Sequence, residues 1–375
     1  MASGEHVGEV RVRSFRVPLE QPEADGTLTW DDTTVVVVEV SSGPVSGLGF
    51  TYAATAAAVL VDELLADVVL GRDPLDISGA WSAMVRKIRN LGRPGISSMA
   101  IAAVDVALWD LKARLLDLAL ADLIGRCRDA VPVYGSGGFT NYTDDQLAEQ
   151  LGHWAHELRI PRVKMKIGAG RGSHEADDLR RVRHARHVVG DDVELFVDAN
   201  GAYDAKQAIR LGASFRDDGV RWFEEPVSSD DLDGLHEVRA AVDMEVAAGE
   251  YGYDVGYFER MCSAGAVDVL QADVSRCAGI SEWLRVAGVA AAHGLEISGH
   301  CAPSLHTAPA SSVPNLRHVE YFHDHARVDR MLFDGALIPY DGVLVAPRDR
   351  PGMGLALREA DAVPFEEYAP APHRS

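Results

Sequence analysis

Asp198, Glu224 and Glu250 each close a short, largely apolar run: Leu195-Phe196-Val197, Arg221-Trp222-Phe223 and Val246-Ala247-Ala248-Gly249. The first and second are 26 residues apart, and so are the second and third. That interval holds one strand, one helix and two loops. Three carboxylates on consecutive strand ends of a βα repeat converge on one point, and converging hard anions call for a hard cation. Mg²⁺, one ion per active site, is the best match. Glu224 is followed by Glu225, and the period favours Glu224 as the inward residue.

Other strand ends add proton chemistry. Lys164-Met165-Lys166 puts two amines on one face of a strand, because side chains alternate. Two neighbouring cations disfavour each other's charge, so a lysine pKa is expected to fall toward neutrality and suit a general base. Asp273 and His300 close neighbouring strands, and a carboxylate bonded to an imidazole fixes its tautomer and raises its basicity. Glu320 ends the last strand and is expected to donate a hydrogen bond to a substrate carboxylate, kept protonated by nearby negative charge. Cys301 and His306 are read as structural. Together these groups suggest abstraction of a proton next to a carboxylate, followed by reprotonation (racemisation) or loss of a β-hydroxyl (dehydration).

The elements that must position these groups follow from the pattern of the chain. Val7–Val17 alternates apolar and polar residues up to Pro18, and Thr33–Val40 is β-branched, which predicts an antiparallel pair joined by a polar loop, Glu20–Asp32. A helix opens near Ser97 with Ile101, Val104, Leu108, Leu111 and Leu115 on one stripe. From Val131 onward strands alternate with helices. Strands are expected at 131–134, 162–167, 194–198, 221–224, 245–250, 267–273, 295–298 and 316–321, which favours a closed parallel barrel. The expected organisation is α/β: an α+β capping domain (1–128), a modified (β/α)7β barrel (129–340) and a tail (341–375) packing back on the cap.

The net charge of −21 argues against nucleic acid and anionic membranes as partners. Ala53–Leu70 is apolar but interrupted by Asp62, Glu63 and Asp67, so it reads as an amphipathic helix, not a membrane span. Cys127, Cys262, Cys277 and Cys301 show no metal or disulfide spacing, and Met1–His6 lacks the character of a signal peptide. A cytoplasmic location is expected.

The motifs Lys164-Met165-Lys166, Val197-Asp198-Ala199-Asn200, Glu224-Glu225-Pro226, Gly249-Glu250, Ala272-Asp273, Gly299-His300 and Glu320 resemble those of the enolase superfamily, its mandelate racemase subgroup in particular. The resemblance extends to Ala107-Leu108-Trp109-Asp110-Leu111-Lys112 in the cap. It implies Mg²⁺ on Asp198, Glu224 and Glu250, and Lys166 as one base with its pKa lowered by Lys164. It implies His300, oriented by Asp273, as the other base, Glu320 on the substrate carboxylate and Asn200 beside metal and substrate. It implies a dimer or octamer. The muconate-lactonising and dipeptide-epimerase branch carries a lysine on the sixth strand, where this chain has Asp273.

Most members with this residue set dehydrate sugar acids. The polar loop around Trp30 and the segment Gly49-Phe50-Thr51-Tyr52, with Trp30 and Tyr52 as substrate contacts, suit a polyhydroxylated acid. The expectation is a Mg²⁺-dependent sugar-acid dehydratase giving a 2-keto-3-deoxy acid. A racemase, epimerase or lactone cycloisomerase using the same site is the alternative, and a barrel that has lost its activity the other rival.

Overall fold

The computed structural model describes residues 6–375; the reading of Met1–Glu5 lies outside them. Strands β1 (Glu9–Ala24), β2 (Thr29–Ser42) and β3 (Val45–Tyr52) form an antiparallel sheet. The β-branched run explains why this sheet is buried on both sides. Val36, Val38 and Val40 face one way, into a cluster with Ile101, Val104 and Leu108 of the helix Ile96–Leu115. Val35 and Val37 face the other way, with Phe15, Val17 and Phe50, into the cluster that continues through the barrel. Each fully buried valine contributes about 1.5–3 kcal/mol relative to exposure, so one run of valines fastens the sheet both to its own helices and to the barrel. The helix sits close against β3 because Gly47 and Gly49 lie under it. A Cβ at either position would collide with the backbone at Ala107 or Ala103.

One local reading is corrected and one unassigned segment is filled in. Residues 20–32 are not a loop: β1 and β2 run through most of them, with an irregularity between Pro18 and Glu23 and a turn at 25–28. The segment 45–52 is a full third strand paired with β2. Both escaped a pattern reading because their polar and glycine residues sit in a sheet whose register is set by neighbours. The expected helix over 53–70 is present as Ala56–Val69, with one wider turn at Val61–Leu65.

Among the described residues, eight parallel strands close the barrel: β4 (Ala130–Gly137), β5 (Arg162–Lys166), β6 (Glu194–Asp198), β7 (Val220–Glu224), β8 (Glu245–Ala248), β9 (Val269–Ala272), β10 (Glu296–Gly299) and β11 (Leu316–Phe322). β11 returns to pair with β4. Helices separate the strands, and one more, His323–Leu332, follows β11. Tyr134, Phe196, Trp222, Ala247 and Val269 fill the interior below the strand ends, a packed plug of the kind parallel barrels require. After Asp341, Val343–Val345 pairs with β4, and Glu366–Tyr368 and His373–Arg374 pair with β1. No helix among the described residues is long and apolar enough to cross a membrane.

Candidate active site

Register brings the first chemical groups together. Lys166 of β5 is paired with Asp198 of β6, and Asp198 with Glu224 of β7. Adjacent strands lie about 4.8 Å apart, so the three strand-end side chains stand side by side. Glu250 follows β8 through Gly249, whose φ of +135° no L side chain adopts readily and where a Cβ would collide with the Gln271 carbonyl. Gly249 therefore lets Glu250 turn toward the other acids. Carboxylate oxygens of Asp198, Glu224 and Glu250 lie within 4.8 Å of one another, and all three residues are buried. An all-oxygen, anionic, water-poor set of this spacing fits one Mg²⁺ ion.

The lysines answer that charge. Lys166 Nζ is 2.5 Å from Asp198 Oδ2. Lys164 Nζ contacts Glu224, lies 3.2 Å from Asp198 Oδ2 and 2.8 Å from Glu320 Oε1. The expected drop in lysine pKa is not what this arrangement produces. Burial does oppose the charge on both amines, but the surrounding carboxylates outweigh it, and both pKa values stand above the usual lysine value. Lys164 lowers the pKa of Lys166, as expected, but Asp198 overrides it. The carboxylates respond unequally. Burial lifts Glu224 to about 8 despite Lys164, whereas Lys166 and Lys164 hold Asp198 below its ordinary value against the same burial.

Across the site, Asp273 Oδ2 is 2.8 Å from His300 Nδ1. Asp273 is itself held by the Ser275 backbone N–H and hydroxyl, both at 2.7 Å. The Nε2 edge of His300 faces inward, 3.3 Å from Glu250 Oε2 and 3.3 Å from Cys301 Sγ. Burial disfavours the imidazolium, but neighbouring negative groups outweigh it and raise the histidine pKa well above its ordinary value. Glu320 differs from expectation. Burial alone would keep it protonated, but Lys164 and His300 push its pKa below the usual carboxylate range. It accepts a hydrogen bond from the Cys301 N–H at 2.8 Å and acts as an anion that holds Lys164.

The floor and rim complete the site. Trp222 of the barrel plug donates from Nε1 to Glu224 Oε2 at 2.9 Å. Arg276 reaches Glu250 Oε1 at 3.1 Å. Asn200, Glu225, Cys301 and Ala302 all have positive φ, between 38° and 49°. Such strained residues beside charged strand ends are typical of functional loops. Asn200 donates its backbone N–H to Asp198 Oδ1 at 2.9 Å, and its side-chain Oδ1 is buried without a partner. It lines a cavity of about 840 Å³ with Glu225, Tyr251 and Arg171.

Trp30 is half-buried and packs edge-on against Phe139, ring centres 5.6 Å apart. Tyr52 is not free to bind substrate. Its hydroxyl donates to Asp329 Oδ1 at 2.5 Å and its ring stacks on His325. His306 is structural: Nε2 accepts from the Val274 N–H at 3.0 Å. Sequence reasoning missed Arg276 and the burial of Glu225 beside Glu224, since nothing in their local pattern marks them.

A capped parallel barrel carrying a carboxylate triad between a lysine pair and an Asp–His pair defines a class of metal-dependent enzyme. Residues 8–125 match the mandelate racemase / muconate lactonizing enzyme N-terminal domain, and residues 146–361 match the enolase C-terminal domain-like model. The chain belongs to this family, the mandelate racemase branch of the enolase superfamily. It is similar to a mandelate racemase/muconate lactonizing enzyme-like protein from Rubrobacter xylanophilus, with 47% identity, a TM-score of 0.93, and 96% of this chain and 100% of that one covered. L-talarate/galactarate dehydratase of Salmonella typhimurium is 31% identical over 95% of this chain and 90% of its own. Its structure liganded with Mg and L-lyxarohydroxamate superposes with a TM-score of 0.92. D-galactarolactone cycloisomerase of Agrobacterium fabrum is 29% identical over 93% of this chain and 95% of its own.

Proposed function

We propose that this protein is a Mg²⁺-dependent sugar-acid dehydratase that removes the proton α to a carboxylate, expels the β-hydroxyl and releases a 2-keto-3-deoxy acid. The observation that carries the reading is that Lys166 Nζ lies against Asp198, at one end of the Asp198–Glu224–Glu250 series, and His300 Nε2 against Glu250, at the other. Asp198, Glu224 and Glu250 would hold the ion. Bound there, it would neutralise the substrate carboxylate and draw the charge of Asp198 away from Lys166, so that the amine can release its proton.

The remaining roles belong to the chain. Lys164, held by Glu320, binds the substrate carboxylate. Nζ of Lys166 takes the α-proton. The C–H electron pair moves into the Cα–Cβ bond as the Cβ–O bond breaks, and Nε2–H of His300 donates to the departing oxygen, which leaves as water. Asp273 stabilises the charged ring and keeps its outer nitrogen pointed at substrate. The enol left behind tautomerises to the ketone. Incubation with Mg²⁺ and a panel of sugar acids, read by NMR, tests the proposal. A 2-keto-3-deoxy product supports it, and its absence for every acid defeats it.

The cycloisomerase relative favours a second reading, ring-opening of a sugar-acid lactone through the same abstraction. An isomer of unchanged mass would distinguish it. The proposal includes the division into cap (1–128), barrel (129–340) and tail (341–375), which the pairing of Glu366–Tyr368 and His373–Arg374 with β1 supports. Four free cysteines support work in a reducing cytoplasm. A dimer or octamer is proposed on the family resemblance.

A further inference from the structure

Cys301 follows His300 in the chain, and consecutive side chains on extended backbone point apart. Here they meet. Cys301 has a φ of +49°, in the left-handed region that non-glycine residues enter at a cost of about 1–3 kcal/mol. With that turn, Sγ comes back to 3.3 Å from His300 Nε2. The Cys301 N–H meanwhile donates to Glu320 Oε2 at 2.8 Å, which fixes the carboxylate beside the thiol. Glu320 Oε2 is in turn 3.7 Å from Nε2. All three residues are buried, and their ligand atoms lie within 4.8 Å of one another.

This spacing matches a coordination sphere. Zn²⁺ binds sulfur at about 2.3 Å and nitrogen or oxygen at about 2.0–2.2 Å, so the edges of its tetrahedron are about 3.6 Å for S···N and about 3.4 Å for N···O. The observed 3.3 and 3.7 Å each differ from these by about 0.3 Å. The imidazole is already oriented as in zinc-binding histidines: Asp273 Oδ2 takes the Nδ1 side at 2.8 Å, which leaves the Nε2 lone pair to the thiol or to an ion. Glu320 turns its other oxygen, Oε1, to Lys164 at 2.8 Å, so Oε2 keeps a lone pair for an ion. A thiolate, an imidazole and one carboxylate form a softer donor set than the carboxylate triad. They suit Zn²⁺ or Co²⁺, whereas the all-oxygen set of Asp198, Glu224 and Glu250 suits Mg²⁺.

We propose that His300, Cys301 and Glu320 form a second metal site, one for Zn²⁺ and ions like it, and that its occupation switches the enzyme off. As such an ion binds, Nε2, Sγ and Oε2 each give it a lone pair. The thiol proton, and the ring's own where the ring is charged, pass to water. Water also fills the fourth corner, as in zinc sites with three protein ligands. The outer nitrogen of His300 then has no proton to give to a departing oxygen. Glu250 Oε2 is 3.3 Å from Nε2 and belongs to the carboxylate triad, so its negative charge lies beside both ions and offsets their repulsion. The inhibition rests on the function proposed above; the site itself does not.

Absorption with Co²⁺ tests the site without turnover. The whole chain, saturated with Mg²⁺ and titrated with Co²⁺, should develop a thiolate-to-Co²⁺ charge-transfer band in the near ultraviolet. Cys301→Ala and the near-isosteric Cys301→Ser should both abolish the band, while Glu224→Gln, which alters only the triad, should keep it. Absence of the band in wild type, or its survival in either Cys301 variant, overturns the proposal. Inhibition is the second arm. With a sugar acid that the protein turns over and Mg²⁺ in excess, Zn²⁺ should reduce wild-type activity about tenfold or more. Cys301→Ser should raise the Zn²⁺ concentration for half-inhibition by about tenfold or more, since even the loss of a ligand's supporting partner costs about 10–100-fold in metal affinity. Half-inhibition at an unchanged concentration would put Zn²⁺ on the triad and sink the switch. A Cys301-dependent band in a protein that turns over no acid would sustain the site and defeat only the reaction.

Discussion

Lys166 Nζ and Asp198 Oδ2 stand 2.5 Å apart at paired positions on neighbouring strands. The proposed base and the proposed metal ion thus compete for the negative charge of Asp198. A divalent ion bound by Asp198, Glu224 and Glu250 stabilises the fold by mass action, by about 2.7 kcal/mol at a hundredfold excess over its Kd. Mg²⁺ should therefore raise the melting temperature of the wild type, with chelator reversing the rise. Asp198→Asn and Glu250→Gln should melt independently of Mg²⁺; a rise that persists in both would remove these residues from the metal site.

Lys166→Ala and His300→Asn should each lower kcat by about 10²–10⁴-fold, the range for a lost acid or base, with KM shifted only a few-fold. In D₂O, a variant that keeps one base should still exchange the α-proton of the substrate enantiomer presented to that base. Retention of full turnover by either variant would contradict the two-sided mechanism.

Asp273 holds the ring of His300 and is assigned no substrate contact in the proposed reaction. Asp273→Asn should cost about 10–100-fold in kcat, as for other groups that orient a working imidazole, while KM stays near wild type. An equal change in KM and melting temperature would mark the residue as structural only.

Gly26→Val should lift the hairpin from the barrel mouth, since even a Cβ meets the Ala199 and Ile167 carbonyls. The expected result is a rise in KM of about tenfold or more with a nearly unchanged melting curve, because the contact lies at the rim and not in the core. Unaltered kinetics would show that the hairpin does not shape the site.

Asp105, on the helix Ile96–Leu115, ties the cap to the barrel through Ser281, accepting from its N–H at 3.0 Å and its hydroxyl at 2.6 Å. Burial lifts its carboxyl to about 7, although the bonds from Ser281 oppose the rise. The folded form therefore holds a proton that the unfolded chain releases near pH 4. The stabilisation is full below that pH and is lost as pH rises through about 7. Asp105→Asn should gain relative to wild type between pH 5 and 8, by an amount on the order of a few kcal/mol. A wild-type–variant difference independent of pH in denaturant melts would refute this.

The barrel and its chemical groups were readable because they are periodic. Strand-end acids recur with the βα unit, and alternation along β5 puts Lys164 and Lys166 on one side. The cap hairpin was harder, since residues 20–32 are polar and become strand only through pairing. Tyr52 looked available because its segment adjoins the site; its hydroxyl is taken by Asp329, a partner 277 residues away.

The amino-acid order by itself determined which side chains could reach one end of the barrel, because strand alternation and repeat length are local properties of the backbone. It determined the family and its class of chemistry for the same reason. Tertiary structure alone decided in which direction each group's proton affinity moves. In the protein alone, Lys166 is driven to hold its proton more tightly and Glu320 to release its own more readily, because Coulomb interactions depend on distance through space, and burial strengthens them. Residues far apart in the chain meet at 2.5–3.3 Å only once the eight strands have closed.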